Sequence, residues 1–150
     1  KNMKRVVIFF IILISLEGFG QSNSQKQKQY TSIKATEFYI KMNSAMDALV
    51  LDVRLFSEYR EERIEGAILA EKKGKLLSLT DTIDKERPVL VYCSDGERSK
   101  TVCNILIREQ NIYHVYNLKN GLQAWKRHGL PLDQEKLQPK ILRKIFKNSD

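Results

Sequence analysis

The residues best placed to do chemistry stand in one run, Cys93-Ser94-Asp95-Gly96-Glu97-Arg98-Ser99. A cysteine is nucleophilic as its thiolate, and thiolates form where backbone N–H groups and the positive end of a helix dipole offset their charge. Such a place needs a strand ending at the thiol, a tight loop, and a helix starting at the loop's far end. The flanking sequence supplies all three. Pro88 is followed by the apolar run Val89-Leu90-Val91-Tyr92, a polar segment spans Cys93 to Arg98, and from Ser99 apolar residues return at helical spacing in Val102, Cys103, Ile105, Leu106 and Ile107. Gly96 permits the turn and lets its amide approach whatever Cys93 carries, and Arg98 adds a fixed cation with a fork of donors. The commoner fate of a cysteine is a buried, inert thiol. The polar loop directly after Cys93 argues instead for exposure at a helix start and for catalysis, whereas Cys103, inside the apolar helix, reads as core. A Cys93–Cys103 disulfide is the alternative in an oxidising compartment.

The rest of the chain must position that loop. Tyr30 to Ile33 reads as a weak strand, Ala35 to Met42 as a helix, Leu49 to Val53 as an apolar strand interrupted only by Asp52, and Phe56 to Glu62 as a short charged helix. Ala67 to Ala70 reads as a strand, Lys73 to Ile83 as a helix, Tyr113 to Tyr116 as a last strand, and Leu122 to His128 as a last helix stopped by Gly129 and Pro131. Asn111 is suited to close the helix after Cys103 in the left-handed conformation. Five short strands interleaved with helices predict a parallel sheet covered on both faces, with its ligand site beyond the carboxyl ends of the strands. Cys93 ends one strand and Asp52 to Arg54 ends another, so both polar clusters fall on the same edge. Asp52 in an apolar strand needs a partner, because an unpaired buried carboxylate is costly.

The loop resembles the Cys-x-x-Gly-x-Arg-Ser active-site loop of single-domain rhodanese-like sulfurtransferases. The resemblance continues in Leu49 to Arg54, Glu58-Tyr59, Ile64-Glu65-Gly66-Ala67-Ile68, and Tyr116 to Gly121 with Trp125, in the family's order and spacing over about residues 30 to 132. It implies a three-layer α/β/α fold with a central five-stranded, mainly parallel sheet. It also implies that Cys93 is catalytic, that Ser94, Asp95, Gly96, Glu97, Arg98 and Ser99 form the loop that holds substrate and persulfide, and that Asp52 and Arg54 support it. The reaction implied takes a sulfane sulfur from thiosulfate or a persulfide and gives it to cyanide, a small thiol or a protein acceptor, with no cofactor. Arg98 reads as a brace for the loop more than as a substrate contact. Two departures are structural: Glu62-Arg63-Ile64-Glu65-Gly66-Ala67 lacks the histidine usual in the family, and Asn120-Gly121 stands where Gly-Gly is frequent. Asp95 and Glu97 make the loop less welcoming to a dianion such as thiosulfate. A cysteine phosphatase or arsenate reductase would resemble Cys-x5-Arg, whereas Cys93 to Arg98 is one residue tighter, a smaller cradle suited to sulfur and poor for a phosphoryl group. A sulfur-carrier or protein-binding module without turnover is the remaining alternative.

A chain of 150 residues, 42% hydrophobic and 29% charged, can bury one ordinary core, so one domain is expected. It is preceded by Lys1 to Gly20, a basic start and an apolar run from Val6 to Leu16, too short to span a bilayer and read as a signal peptide for export to the periplasm or beyond, with an uncleaved membrane anchor as the alternative. Gln21 to Gln29 is a polar linker that can bury nothing. The formal charge is +8; without residues 1–20, which carry three cations and one acid, it is +6. That charge is spread along the chain with no basic block interleaved with aromatics, which argues against nucleic-acid binding. His114 and His128 lack neighbours that would make them metal ligands, and two histidines with two cysteines support no metal site. From residue 133 onward, Leu137, Ile141, Leu142, Ile145 and Phe146 form an apolar stripe ringed by Lys136, Lys140, Arg143, Lys144 and Lys147. This tail reads as a helix docked on the domain or, alternatively, as a contact with an anionic membrane surface or a partner. A monomer is expected.

Overall fold

The computed structural model describes residues 29–45 and 47–134. The leader, almost all of the linker and the tail stripe lie outside the described residues. Within them, the two strands with no polar alternation become the centre of the sheet. β2 (Leu49–Asp52) and β5 (Val89–Tyr92) are buried at every position, as strands covered on both faces must be. They pair in parallel, and the five-stranded sheet has the order β1-β6-β5-β2-β4, with β1 at Thr31–Ile33, β4 at Ile68–Leu69 and β6 at Val115–Leu118. Every pairing in it is parallel.

The period of two along β2 and β5 sorts the core into two layers. Leu49, Leu51, Val89 and Val91 pack with Leu76 of α3 (Lys73–Thr80) and with Cys103, Leu106 and Ile107 of α4 (Glu97–Arg108). Val50, Leu90 and Tyr92 face the other way, against Phe38 of α1 (Ala35–Ser44) and Leu122 and Trp125 of α5 (Gly121–Arg127). Phe38 and Trp125 meet edge to face at 6.0 Å between ring centres. From β2 the chain builds outward to β4, and from β5 it builds the opposite way to β6. The crevice beyond the carboxyl ends of β2 and β5 is therefore a topological switch point, the usual ligand position in an open α/β sheet.

Several boundaries differ from the sequence reading. α4 begins at Glu97, two residues before the expected start at Ser99, because Gly96 at φ 92° ends the loop and turns Glu97, Arg98 and Ser99 into the first helical turn. The last strand of the sheet is Val115–Leu118 where Tyr113 to Tyr116 was expected. Asn117 looks like a strand breaker in sequence, but its amide finds buried partners and the ladder runs through it. A second, two-stranded antiparallel sheet has no local signature: β3 (Arg63–Ile64) pairs with β7 (Leu132–Asp133). Its side chains reinforce it through an ion pair between Arg63 and Asp133, so Asp133, counted with the tail in sequence, is tied to the folded unit. Asn111 does adopt the left-handed conformation, at φ 55°. α2 (Phe56–Glu61) fills the stretch between β2 and β3.

Candidate active site

Two helix N-termini meet at the loop after β5. The start of α5 consumes the loop's carbonyls: Leu122 N–H donates to the Cys93 carbonyl at 2.8 Å and Gln123 N–H to the Ser94 carbonyl at 3.1 Å. With those acceptors engaged from one side, the loop's own amides and the first turn of α4 are left to serve the thiol. Gly96 N–H donates to Cys93 Sγ at 3.2 Å and Ser99 N–H donates to it at 3.4 Å, while the Ser99 hydroxyl lies 3.4 Å from the sulfur. These are donors that an α-helix start cannot use internally, and here they converge on one atom.

The close fit explains both glycines. A β-carbon on Gly121, at φ 54°, would stand 2.3 Å from the Cys93 carbonyl oxygen and 2.6 Å from Asp95 N. One on Gly96 would stand 2.9 Å from Asn120 N and from the Leu118 carbonyl oxygen. Loop and β6–α5 turn are thus packed backbone against backbone, which only residues without a side chain permit.

The side chains that fix the loop come from β6, α2, α4 and the loop itself. Asn117 of β6, fully buried, takes the Ser99 hydroxyl on Oδ1 at 2.6 Å and donates through Nδ2 to Ser32 Oγ at 3.1 Å and to the Gly96 carbonyl at 3.4 Å. Glu58 of α2 accepts the Leu55 N–H on Oε2 at 3.1 Å and the Ser94 hydroxyl on Oε1 at 2.7 Å, capping α2 and clamping it to the loop. Partial burial alone would raise the Glu58 carboxyl; the Ser94 and Leu55 hydrogen bonds, with the charges of Arg54 and Arg98, overcome it and hold the group below the usual range. Arg98 Nη1 donates to the Val53 carbonyl at 3.2 Å and so ties the first turn of α4 to the end of β2. Asp95 Oδ1 accepts the Glu97 N–H at 3.0 Å and lies 3.5 Å from Cys93 Sγ, which donates to it.

Asp52 and Arg54 are brought to the same sheet edge but not to the thiol. Their carboxylate and guanidinium pair face to face, with Nη2 to Oδ2 at 2.7 Å and Nε to Oδ1 at 3.0 Å, both groups buried. The second bond of Arg54 Nη2, 2.6 Å to the Glu62 carbonyl, holds the chain leaving α2. This pair braces the floor beside the loop through buried, fully partnered charges.

One expectation about Cys93 needs correction. The polar loop suggested an exposed thiol, yet the residue is 1% exposed. Its own loop folds back over the sulfur to make the N–H contacts, and α5 presses from below. Cys103 lies in the apolar layer, where burial pushes its thiol up, with the neighbouring Cys93 adding to the rise. Both cysteines are free. Trp125 is core, its Nε1–H donating to the Pro131 carbonyl at 2.9 Å. His114 precedes β6 and pairs with Glu86 at 3.0 Å. Among the described residues, no cluster of His, Cys, Asp or Glu is suited to a metal ion, and no helix is long and apolar enough to cross a membrane.

Asn117, Glu58 and Gly121 are the parts of the site that sequence reasoning did not assign to it. The signal for Asn117 was present: a polar residue in an apolar strand requires a buried partner, the same argument applied to Asp52.

The model of the rhodanese-like domain matches residues 34–128. This chain belongs to the rhodanese-like domain family. It is 38% identical over 109 residues to a thiosulfate sulfurtransferase of Coxiella burnetii, covering 73% of this chain and 96% of that relative. It is 35% identical over 86 residues to a sulfurtransferase of Allochromatium vinosum, covering 57% of this chain and 78% of the relative. The solution structure of a rhodanese-like domain from Anabaena superposes with a TM-score of 0.61 at 26% identity, covering 74% of this chain and 86% of the other.

Proposed function

We propose that this rhodanese-type sulfurtransferase carries a sulfane sulfur as a persulfide on Cys93. The observation that supports it is the convergence of the Gly96 and Ser99 N–H groups on Cys93 Sγ, at 3.2 and 3.4 Å, while the loop carbonyls are turned into α5. Such preorganised donors favour negative charge on sulfur, both on the attacking thiolate and on the persulfide that follows. In the first half-reaction the Cys93 thiolate attacks the outer sulfur of thiosulfate or of a persulfide. A new S–S bond forms at Cys93 as the donor's S–S bond breaks, and sulfite or a thiolate departs with the electron pair. In the second, cyanide or a thiol attacks the terminal sulfur and the Cys93 thiolate is restored. Two half-reactions through one covalent intermediate give ping-pong kinetics. The small cradle of the Cys-x4-Arg loop and the direct N–H contacts to sulfur favour this reading over phosphoryl transfer.

The test is intact mass. Reduced protein is incubated with thiosulfate or a low-molecular-weight persulfide, beside Cys93→Ser, and then given cyanide. The proposal expects one added sulfur atom on the wild type alone, removed by cyanide with release of thiocyanate. Absence of loading from either donor on folded protein would leave a binding module in its place.

A further inference from the structure

The two acids of the loop look equivalent in sequence, and the structure separates them. Glu97 Oε1 is held by Lys100 Nζ at 2.6 Å on the exposed side of α4, so its charge is answered one turn along the same helix. Asp95 is turned to the thiol. Its Oδ1 accepts the Glu97 N–H at 3.0 Å, an anchor that keeps it 3.5 Å from Cys93 Sγ. Two further charges act on this mouth: Glu58, engaged by the Ser94 hydroxyl at 2.7 Å, and Arg98, engaged by the Val53 carbonyl at 3.2 Å. With Glu97 and Lys100 cancelling, two carboxylates face one guanidinium. With the Asp52–Arg54 pair also self-compensating, these side chains sum to a formal charge of −1 before any donor arrives.

Thiosulfate would bring two more negative charges to within a few ångströms of Asp95, and at that range like-charge repulsion falls directly on the loading step. An alkyl hydropersulfide, R–S–SH, is uncharged in its protonated form and brings at most one negative charge. Resting on the sulfur-transfer reading above, we propose that Asp95 selects the donor: its carboxylate beside Cys93 disfavours dianionic sulfur donors and leaves the site better matched to an alkyl hydropersulfide, which carries at most one charge. The exchange balances without an added oxidant or reductant. Cys93 S–H and R–S–SH become Cys93 S–SH and R–SH. The Cys93–sulfur bond forms as the donor's S–S bond breaks, and the thiol proton, directed at Asp95, ends on the departing thiolate.

The experiment measures kcat/KM for loading from thiosulfate and from N-acetylcysteamine hydropersulfide generated in situ, with intact mass confirming that Cys93 is the site. Proteins compared are the wild type, Asp95→Asn, Asp95→Ser and, as a charge control at the opposite sheet edge, Glu86→Gln. Asparagine keeps the oxygen that receives the Glu97 N–H and removes only the charge. The expected result is a preference for the hydropersulfide in the wild type. In both Asp95 variants the thiosulfate-to-hydropersulfide ratio rises by roughly tenfold, while in Glu86→Gln it stays at the wild-type value. A purely structural role for Asp95 would slow both donors alike and leave the ratio unmoved, which overturns the proposal while sulfur transfer stands. Loading by neither donor in the wild type overturns both.

Discussion

Cys93 and Cys103 are the same residue, ten positions apart in the chain, in the same packed layer, and hidden to the same degree at 1% and 0% exposure. They differ in what touches the sulfur. Cys93 Sγ receives two backbone N–H groups and meets a serine hydroxyl and a carboxylate. Cys103 sits one turn before Leu106 and Ile107 in the apolar layer, where burial favours the neutral thiol. Burial by itself thus says little about whether a cysteine is reactive; the polar groups aimed at it decide.

The largest contrast should appear in alkylation. In folded protein, iodoacetamide followed by peptide mass analysis is expected to modify Cys93 while Cys103 remains unmodified until denaturant is added. Comparable rates at both sites would break the comparison. Next comes Gly121→Ala, which leaves both cysteines in place and forces a β-carbon against the Cys93 carbonyl. Displacing the loop by about an ångström is expected to cost about 10²-fold in sulfur loading, measured by stopped-flow with the persulfide donor, with Cys103 still protected from alkylation. Cys103→Ala tests the other half. Loss of a buried sulfur should lower stability by about 1–3 kcal/mol in urea denaturation, with the loading rate of Cys93 at the wild-type value.

The smallest effect is a pH dependence. Glu58 has a folded-state pKa below its unfolded one, so its clamp on Ser94 contributes stability that is fully present above the unfolded carboxylate range and is lost as pH falls through the lowered folded value. Urea midpoints from pH 6 down to pH 3 should therefore decline less steeply in Glu58→Gln than in the wild type. Equal slopes would remove Glu58 from the account of how the loop is held.

How far the site was legible depends on distance along the chain. The strand, loop and helix around Cys93, and the apolar runs that became β2 and β5, are local patterns, and each appears in the indicated place apart from the helix start, which comes two residues earlier. That Asp52 needs a partner followed from the cost of a buried carboxylate, and the fold supplies Arg54, only two residues away. By contrast, Asn117 reaches Ser99 across 18 positions and Ser32 across 85, and Glu58 reaches Ser94 across 36. Those partners exist only once the sheet has stacked β1, β6, β5 and β2 side by side.

The order of the helices and of the strands of the five-stranded sheet, the two-sided burial of the central strands and the placing of a thiol before a helix start were determined by the sequence itself. They follow from side-chain period, β-branching and the needs of unpaired helix N–H groups, all of which act over a few residues. What only the tertiary structure decided is how the thiol is held. The β6–α5 turn pressed against the loop takes up its carbonyls and closes it over Cys93, and Gly96 then ends the loop two residues earlier than the apolar periodicity indicated. Hydrogen bonds and excluded volume between segments far apart in the chain have no periodic trace in sequence. For that reason the same loop could be read as open from its residues and is found closed in the fold.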